Sequence, residues 1–514
     1  MQGGTRKGGV INMNSSKNTT TPPDDVDVPS TDGLISAYRG NPLCEAFGPI
    51  PDDEYWRKIL TKDEIEFVPS DRWLPAHQRA HAAPIALSSV RVVTPTQLKI
   101  MDKIRELQMR GYLHRNILSP EFRKRLREDR EVLMKGGQIP ERFKQVKGLG
   151  ALLSGYAGVG KTTLVDMAMD SLPACHPHRF IMSDGGIHCC NQVFGVNVEL
   201  FEDADLKDLA FEICSDVEER SGDKDLWRTY GLNTCSETSV QPRIYALCRD
   251  YNVGLVKVDE VQNMVAHREG YRRVLKYLVR LTNQCGVPVM VIGTPLVDGL
   301  ISGDGPAGRR LAGIPKLEPL RKGSEMLKEF LRKLERYKYT RHDMDLVALA
   351  DVIYDSTGGI PDLIIKLVTL AQVRMFGRKN VNGRPNETVT DVVLAETADQ
   401  LFWAVKDYVT NVRNGKADVS LSPTERALLN NHCDQALNDA QAAIGAPPSA
   451  PKAPKPAPVE VAVGSSQAEG SGAVAVGRAT EESADVQGPE DPVVAASKSG
   501  DIKAALEKLG LLEQ

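Results

Sequence analysis

The stretch that decides the fold is LGALLSGYAGVGKTTLVDMAMDSL, residues 149–172. Within it a short apolar run, 149–153, precedes a glycine-rich segment, and an amphipathic run, 163–172, follows. Between the two runs, residues 155–162 match the pattern GxxxxGK[ST]. This order of strand, glycine-rich loop and helix predicts a phosphate-binding P-loop in a parallel α/β sheet. The flanking strand and helix disfavour the alternative, a chance glycine-rich turn.

The loop is expected to supply both backbone and side-chain ligands for phosphate. Its glycines let backbone N–H groups point into one concavity, and the N-terminus of the following helix adds partial positive charge. Lys161 is expected to reach the β- and γ-phosphates, and the Thr162 hydroxyl to ligate Mg²⁺. The expected nucleotide-binding residues are Gly155, Gly158, Val159, Gly160, Lys161, Thr162 and Thr163.

A second apolar run, VGLVKVDE at residues 253–260, ends in two carboxylates. We expect Asp259 to join the Mg²⁺ shell, through water, and Glu260 to orient and deprotonate the attacking water. Two acids after a strand favour an ATPase, and the sequence contains no guanine-reading [NT]KxD box, so the expected cofactors are ATP and Mg²⁺. Lys257 interrupts the run and is expected near an exposed side of the strand, because parallel strands are normally buried on both faces.

A third apolar run, VPVMVI, is followed by Gly-Thr-Pro at residues 293–295. The Thr294 hydroxyl is expected beside the other strand ends, where it would sense the γ-phosphate or hold the water; a simple strand-ending turn is the alternative. Arg309 and Arg310 follow in a glycine-rich loop, 303–313. We expect this pair to reach the nucleotide of a neighbouring subunit as an arginine finger, and a solvated pair is the alternative.

Composition and helical periodicity divide the chain into segments. Residues 1–30 are predicted to be a disordered tail, because they are polar and cannot bury enough apolar surface. The other segments are a mixed, helical N-terminal extension at 31–147, an α/β ATPase subdomain at 148–310, a helical lid at 311–412, a helical or linker segment at 413–446, a disordered linker rich in Pro, Ala and Gly at 447–500, and a short amphipathic helix at 501–514. The predicted fold class is α/β: a P-loop parallel sheet domain with a helical lid, an N-terminal extension and a disordered C-terminal linker.

The charge balance narrows the classes of partner. The chain carries 64 Lys and Arg against 68 Asp and Glu, a net charge of −4, which excludes a uniformly basic nucleic-acid coat and leaves only local basic faces. Residues 99–147 hold fourteen basic and seven acidic side chains; this surplus could face phosphate or form a solvated helical face. Since no apolar run approaches the ~18 residues of a membrane span, and residues 1–30 contain no apolar signal-peptide core, we expect a cytoplasmic protein without a membrane partner.

Together these features resemble an AAA+ ATPase, and more specifically the TnsC/TniB family of transposition regulators. The resemblance extends over about residues 35–410. The segments that carry it are VDEVQ at 258–262, GVPVMVIGTP at 286–295, the pair Arg309-Arg310, the lid run 359–374, and AYRGNP at 37–42, which is similar to the box that opens TnsC of cut-and-paste transposons.

The resemblance implies a bacterial protein that binds and hydrolyses ATP and assembles as a ring or filament on double-stranded target DNA without sequence preference. It also implies a link between a target-site selector of the TniQ or TnsD type and transposase subunits, with helix 501–514 capturing a transposase subunit; an unselective disordered end is the alternative. One departure is in the lid. After Gly358-Gly359, where many initiator-like AAA+ proteins carry a sensor arginine, this chain has Pro361-Asp362, which leaves Lys366 and Arg374 as substitutes.

Two other functions compete with the transposition regulator. One is another initiator-clade AAA+ protein, such as a replication loader, which would need its own DNA-binding winged helix where the lid here is followed by a linker. The other is a signalling scaffold whose P-loop only binds nucleotide. The intact Asp259-Glu260 pair argues against such a catalytically dead site.

Overall fold

The computed structural model describes residues 33–146, 149–181, 186–201, 204–264, 268–303, 305–311, 314–416 and 420–444. The chain divides into two units, Met1–Pro447 and Pro448–Gln514, and all described residues lie in the first. The predicted tail 1–30, linker 447–500 and helix 501–514 lie outside the described residues and stay predictions.

The described strands form one parallel sheet and one antiparallel ribbon. In chain order they are β1 (Gly150–Ser154), β2 (Cys175–Ile181), β3 (Ile187–Val193), β4 (Val196–Glu199), β5 (Val256–Asp259) and β6 (Val289–Gly293). The sheet has the order β1-β6-β5-β4 with every neighbouring pair parallel, and β2 pairs with β3 as the ribbon. The predicted P-loop α/β fold with a parallel sheet is confirmed.

Helices surround this sheet and form a second layer beyond it. Those before the sheet are α1 (Pro42–Glu45), α2 (Asp53–Thr61), α3 (Ala76–Ser89), α4 (Pro95–Tyr112) and α5 (Pro120–Met134). Those between and after the strands are α6 (Lys161–Met169), α7 (Leu206–Ser221), α8 (Leu226–Thr229), α9 (Glu237–Asp250), α10 (Arg268–Cys285), α11 (Leu296–Gly303) and α12 (Gly305–Arg310). Those of the lid are α13 (Glu325–Glu335), α14 (Ala350–Thr357), α15 (Pro361–Met375), α16 (Asp391–Leu401), α17 (Lys406–Arg413) and α18 (Pro423–Ala443). None of the helices in these ranges is long and apolar enough to cross a membrane.

Alternation along β5 sends its side chains to two different cores. Val256 and Val258 face the core built with α7, α9 and α10, whereas Leu255 belongs to the core with α4 and α6. Lys257, which alternation places on the α6 side, is only 5% exposed, and its Nζ lies 2.5 Å from Oδ1 of Asp166 on α6. The expectation that Lys257 lies at an exposed side is therefore wrong, because a carboxylate on the adjacent helix compensates its buried charge.

The segment predicted as an N-terminal extension packs onto both main layers. Leu98, Met101 and Ile104 of α4 lie in the same apolar core as Leu153 of β1 and Ile292 of β6. Ala83 and Leu87 of α3 lie instead in the apolar core of the lid. Residues 76–112 thus connect the sheet to the lid through continuous packing, and they are part of both layers.

A buried ion pair holds α3 against the lid. The Arg79 and Glu387 side chains are each 1% exposed, with Nη1–Oε2 and Nη2–Oε1 distances of 2.6 Å and 2.8 Å. Burial raises the pKa of Glu387, but hydrogen bonds from Arg79 and from the backbone N–H groups of Gly377 and Arg341 outweigh it and lower the pKa overall. Because each charge has an opposite charge and hydrogen bonds around it, the buried pair can stabilise the contact between α3 and the lid.

The last described helix belongs to the lid. Leu429 and Ala436 of α18 are buried in the same core as α15, and Gln441 Nε2 donates to the Ala80 carbonyl of α3 at 2.9 Å. The segment 413–446, interpreted from sequence as helical or linker, thus contains a helix of 21 residues that packs on the lid.

Candidate active site

The loop after β1 adopts a backbone that its glycines permit. Gly158 and Gly160 have φ values of +80° and +92°, in the left-handed region that other residues rarely adopt. At Gly155 an added Cβ would lie 2.4 Å from the Leu317 carbonyl oxygen. The loop then enters α6 at Lys161, whose first N–H groups have no partner inside the helix. This cradle fits the phosphate group that the sequence predicts.

Lys161 is half-buried beside the loop. Its Nζ donates to the Tyr156 carbonyl at 3.0 Å. Burial lowers the pKa of Lys161 to about 8, although the charges of Asp259 and Glu260 oppose this shift. A half-buried ammonium whose direct partner is a neutral carbonyl is suited to receive an anion.

The predicted Mg²⁺ ligands lie together. The Thr162 hydroxyl at the start of α6 donates to Oδ2 of Asp259 at 2.6 Å, and the other oxygen of Asp259 accepts from the Glu260 N–H at 2.7 Å. A hydroxyl and a carboxylate are the hard oxygen donors that Mg²⁺ prefers. The residues therefore fit a Mg²⁺ ion bound with nucleotide phosphates, and Thr162 and Asp259 would hold it.

Glu260, the predicted base, follows β5 with a φ of +55°. This left-handed conformation is strained for a residue with a Cβ, and such strain is often found at active sites. Its carboxylate is bound on both oxygens by Arg426 of α18, with Nη1–Oε1 at 2.6 Å and Nη2–Oε2 at 3.3 Å. The Gln262 side-chain amide also donates to Oε2.

Thr294 follows β6, as predicted, and Gln262 links it to Glu260. The Gln262 Oε1 accepts from the Thr294 N–H at 3.2 Å, while its amide nitrogen donates to Glu260. The Thr294 residue is 1% exposed, and its hydroxyl has no hydrogen-bond partner among the described residues. A buried hydroxyl of this kind is available to a ligand or a water at the strand ends.

Arg309 and Arg310 lie at the end of α12, so in the described part of segment 303–313 a short helix replaces the expected loop. The Arg310 guanidinium donates to the carbonyls of Val146, at 2.6 Å, and Lys144 of its own chain. The Arg309 side chain is exposed. Of the two, Arg309 therefore has the more accessible side chain.

Two residues of this site escaped sequence reasoning. Gln262 stood in the motif that resembles the TnsC/TniB family but had no assigned role. Arg426 lies in a segment interpreted as helical or linker, and the only signal was the capping box that Ser422 and Glu425 form at the start of α18. Of the two lid cations considered as sensors, Lys366 instead binds Asp362 and Asn430, and Arg374 donates to Thr397.

Two cavities border the P-loop. One of about 380 Å³ is bounded by Thr162, Asp259 and Glu260 together with carboxylates of β4, α6 and α7. The other, of about 230 Å³, lies between the P-loop, the segment 88–97 and the lid. Its walls include Val90, Val92, Phe330 and Ile365, with Arg91 and Gln97 as polar groups. Apolar walls with a few polar groups suit a flat nucleotide base.

Residues 147–301 match a family model described as an AAA domain. The fold is that of an AAA P-loop ATPase domain. This match supports nucleotide binding and ATPase activity in general terms, and it does not reach the finer TnsC/TniB assignment. No curated protein matches the chain.

Several solved structures are similar to this chain at low identity. A Walker-type ATPase of Pyrococcus abyssi is 13% identical over 63% of this chain and 90% of its own, with a TM-score of 0.35. The Orc1 protein of Aeropyrum pernix in complex with DNA is 15% identical over 65% and 83%, with a TM-score of 0.32. Closed-state Hsp104 with ATPγS and casein is 14% identical over 62% and 52%, with a TM-score of 0.27. At these values the similarities carry no inference about function.

The site leads to a prediction that separates binding from hydrolysis. Lys161→Ala is expected to abolish ATP binding, because it removes the ammonium of the cradle. Glu260→Gln is expected to retain binding and to lower kcat about 10²–10⁴-fold, the usual contribution of a general base. Binding is measured with a fluorescent ATP analogue and hydrolysis in single-turnover assays. Glu329→Gln, on the exposed face of α13, is the matched control, and near wild-type turnover by Glu260→Gln would show that another residue is the base.

Proposed function

We propose that this chain is a Mg²⁺-dependent ATPase that regulates DNA transposition. In this proposal it oligomerises on double-stranded target DNA and connects a target-site selector to transposase subunits. The observation that carries the ATPase part is the meeting of Thr162, Asp259 and Glu260 at one edge of the sheet, with the Thr162 and Asp259 oxygens 2.6 Å apart. The transposition part is supported by the sequence motifs that resemble the TnsC/TniB family.

The residues of the site divide the work of phosphoryl transfer. Bound ATP would supply the phosphoanhydride bond that is cleaved, and Mg²⁺ would partly neutralise the negative charge on the phosphate oxygens. Lys161 binds the phosphates, and Thr162 and Asp259 hold the metal, Asp259 through water. Glu260 accepts the proton of the attacking water, and the Thr294 hydroxyl orients that water or contacts the γ-phosphate.

A basic surface on α5 supports the DNA part of the proposal. Of the basic surplus in 99–147, Arg105 and Arg115 are buried and serve the fold. Lys124, Arg125 and Arg127 are exposed in the first half of α5, and we call these three residues the α5 basic face. Burial, and after it the charges of Arg123 and Arg127, lower the pKa of His188 on β3, so this part of α5 faces the ribbon with its basic side chains close enough to act on His188. Such a face suits contacts with the DNA backbone, which are insensitive to sequence.

DNA binding is expected to need ATP and to weaken steeply with salt. The triple variant Lys124→Glu/Arg125→Glu/Arg127→Glu should bind more weakly and should reduce the slope of log Kd against log salt by about 2–3, since each phosphate contact contributes about 0.9. The measurement is fluorescence anisotropy with duplex DNA in the Glu260→Gln background, with and without ATP. Lys328→Glu/Arg332→Glu/Arg336→Glu on the lid surface changes the net charge equally and is the control. Equal losses in both triples would mean that the α5 basic face does not contact DNA.

Arg309 is proposed to act on the nucleotide of the neighbouring subunit. Arg309→Ala should lower kcat about 10³–10⁵-fold if it is an arginine finger. Mixing Arg309→Ala subunits with Glu260→Gln subunits should restore turnover, because one partner supplies the base and the other the guanidinium. Mixing Lys161→Ala with Glu260→Gln subunits is the control without recovery. If the first mixture co-assembles and stays inactive, Arg309 does not act between subunits.

The link to transposase is tested by insertion of a donor element into target plasmid in the presence of transposase and selector proteins. Deleting residues 501–514 should reduce insertion while leaving ATP hydrolysis and DNA binding unchanged, because the proposed capture helix is lost. Deleting residues 470–483, an equal length of the predicted linker, is the control. If the variant without residues 501–514 still supports full insertion, the tail has no role in capturing transposase. Insertion that is independent of this chain would favour the initiator-like alternative.

A further inference from the structure

Both oxygens of the Glu260 carboxylate accept hydrogen bonds from the protein itself. Arg426 binds both of its oxygens and the Gln262 amide donates to Oε2. The Glu260 side chain is 16% exposed. A general base has to accept a hydrogen bond from the water whose proton it takes, and the guanidinium fork already takes one lone pair on each oxygen of Glu260. In this arrangement Arg426 and Gln262 fix the orientation of the carboxylate that the water has to approach.

Arg426 is delivered by the lid and not by the sheet domain. It lies in the first turn of α18, whose beginning is set by the Ser422 and Glu425 capping box. The rest of α18 is held by the lid, through the buried Leu429 and through Asn430, which accepts from Lys366 at 3.1 Å. A displacement of α18 or of the lid would therefore carry Arg426 away from Glu260.

Arg426 also stands close to the predicted phosphate site. Burial is the main cause that lowers the pKa of Lys161, and the carboxylates of Asp259 and Glu260 oppose it. The positive charge of Arg426 adds to the lowering. Two cations thus share the space beside the P-loop, and Glu260 is the anion that Arg426 binds. Phosphate bound to Lys161 would offer Arg426 a second anion and so compete with Glu260.

We propose that Arg426 is a positioning residue that holds Glu260 in an inactive arrangement and that hydrolysis begins only after this ion pair opens. This proposal rests on ATP hydrolysis by Glu260, as proposed above.

The first test compares ATP hydrolysis by the full chain and by Arg426→Gln, which keeps side-chain polarity but removes the charged fork. We expect kcat measured without DNA to rise several-fold in the variant. A residue that only bound phosphate would instead raise KM with kcat unchanged, and a residue that only supported the fold would lower kcat together with the melting temperature. Either of these results would overturn the proposal. Gln435→Ala, at an exposed position of α18, is the matched control.

The second test detects the Arg426–Glu260 ion pair without measuring ATP hydrolysis. In hydrogen–deuterium exchange of the full chain without nucleotide, Glu260→Gln should speed exchange of residues 424–430, because the contact that ties the first turn of α18 to the sheet domain is weakened. Glu329→Gln should leave it unchanged. Equal exchange in wild type and Glu260→Gln would sink the proposal. If wild type and Arg426→Gln hydrolyse ATP at the same rate, the proposed restraint of Glu260 by Arg426 is wrong and the proposed function stands. If neither protein hydrolyses ATP, the proposed function is contradicted as well.

Discussion

The parallel register of β1, β6 and β5 is the constraint on which the candidate site depends. Backbone pairing places Ser154 opposite Gly293, and Val258 opposite Val291. The carboxyl ends of the three strands therefore lie at one edge, and whatever follows each strand meets there. This is how Thr162 on α6 comes within hydrogen-bond distance of Asp259, 97 residues later in the chain.

Three cations at this edge of the sheet differ in the partners that compensate their charge. Lys257 has Asp166 at 2.5 Å, and Arg426 has Glu260 at 2.6 Å. Lys161 hydrogen-bonds only to a neutral carbonyl among the contacts that the described residues make. Burial accordingly lowers its pKa to about 8. The three cations thus divide into one that is compensated within the sheet domain, one that binds the Glu260 carboxylate and one that remains suited to an incoming anion.

The N-terminal region gives the lid and the sheet a shared structural element. The Arg79–Glu387 pair and the apolar contacts of α3 hold it to the lid, and α4 packs on the sheet. The chain between these helices lines the cavity of about 230 Å³ beside the P-loop. A group bound in that cavity would contact the sheet domain, the connecting chain and the lid at the same time. Its binding would therefore favour the lid position in which all three contacts are made.

The sequence by itself determined the features that arise from local chemistry. Gly158 and Gly160 are required by a backbone with positive φ, and apolar runs that end in Asp259 or Thr294 predict buried parallel strands with polar residues at their ends. Only the tertiary structure decided the features that arise from packing between distant segments. It buried Lys257 against α6, tied Arg310 to the chain before β1, and brought Arg426 to Glu260 across 166 residues. Periodicity tells which face of a helix is apolar, but which charged groups meet depends on where the lid packs, and that is set by contacts far apart in the chain.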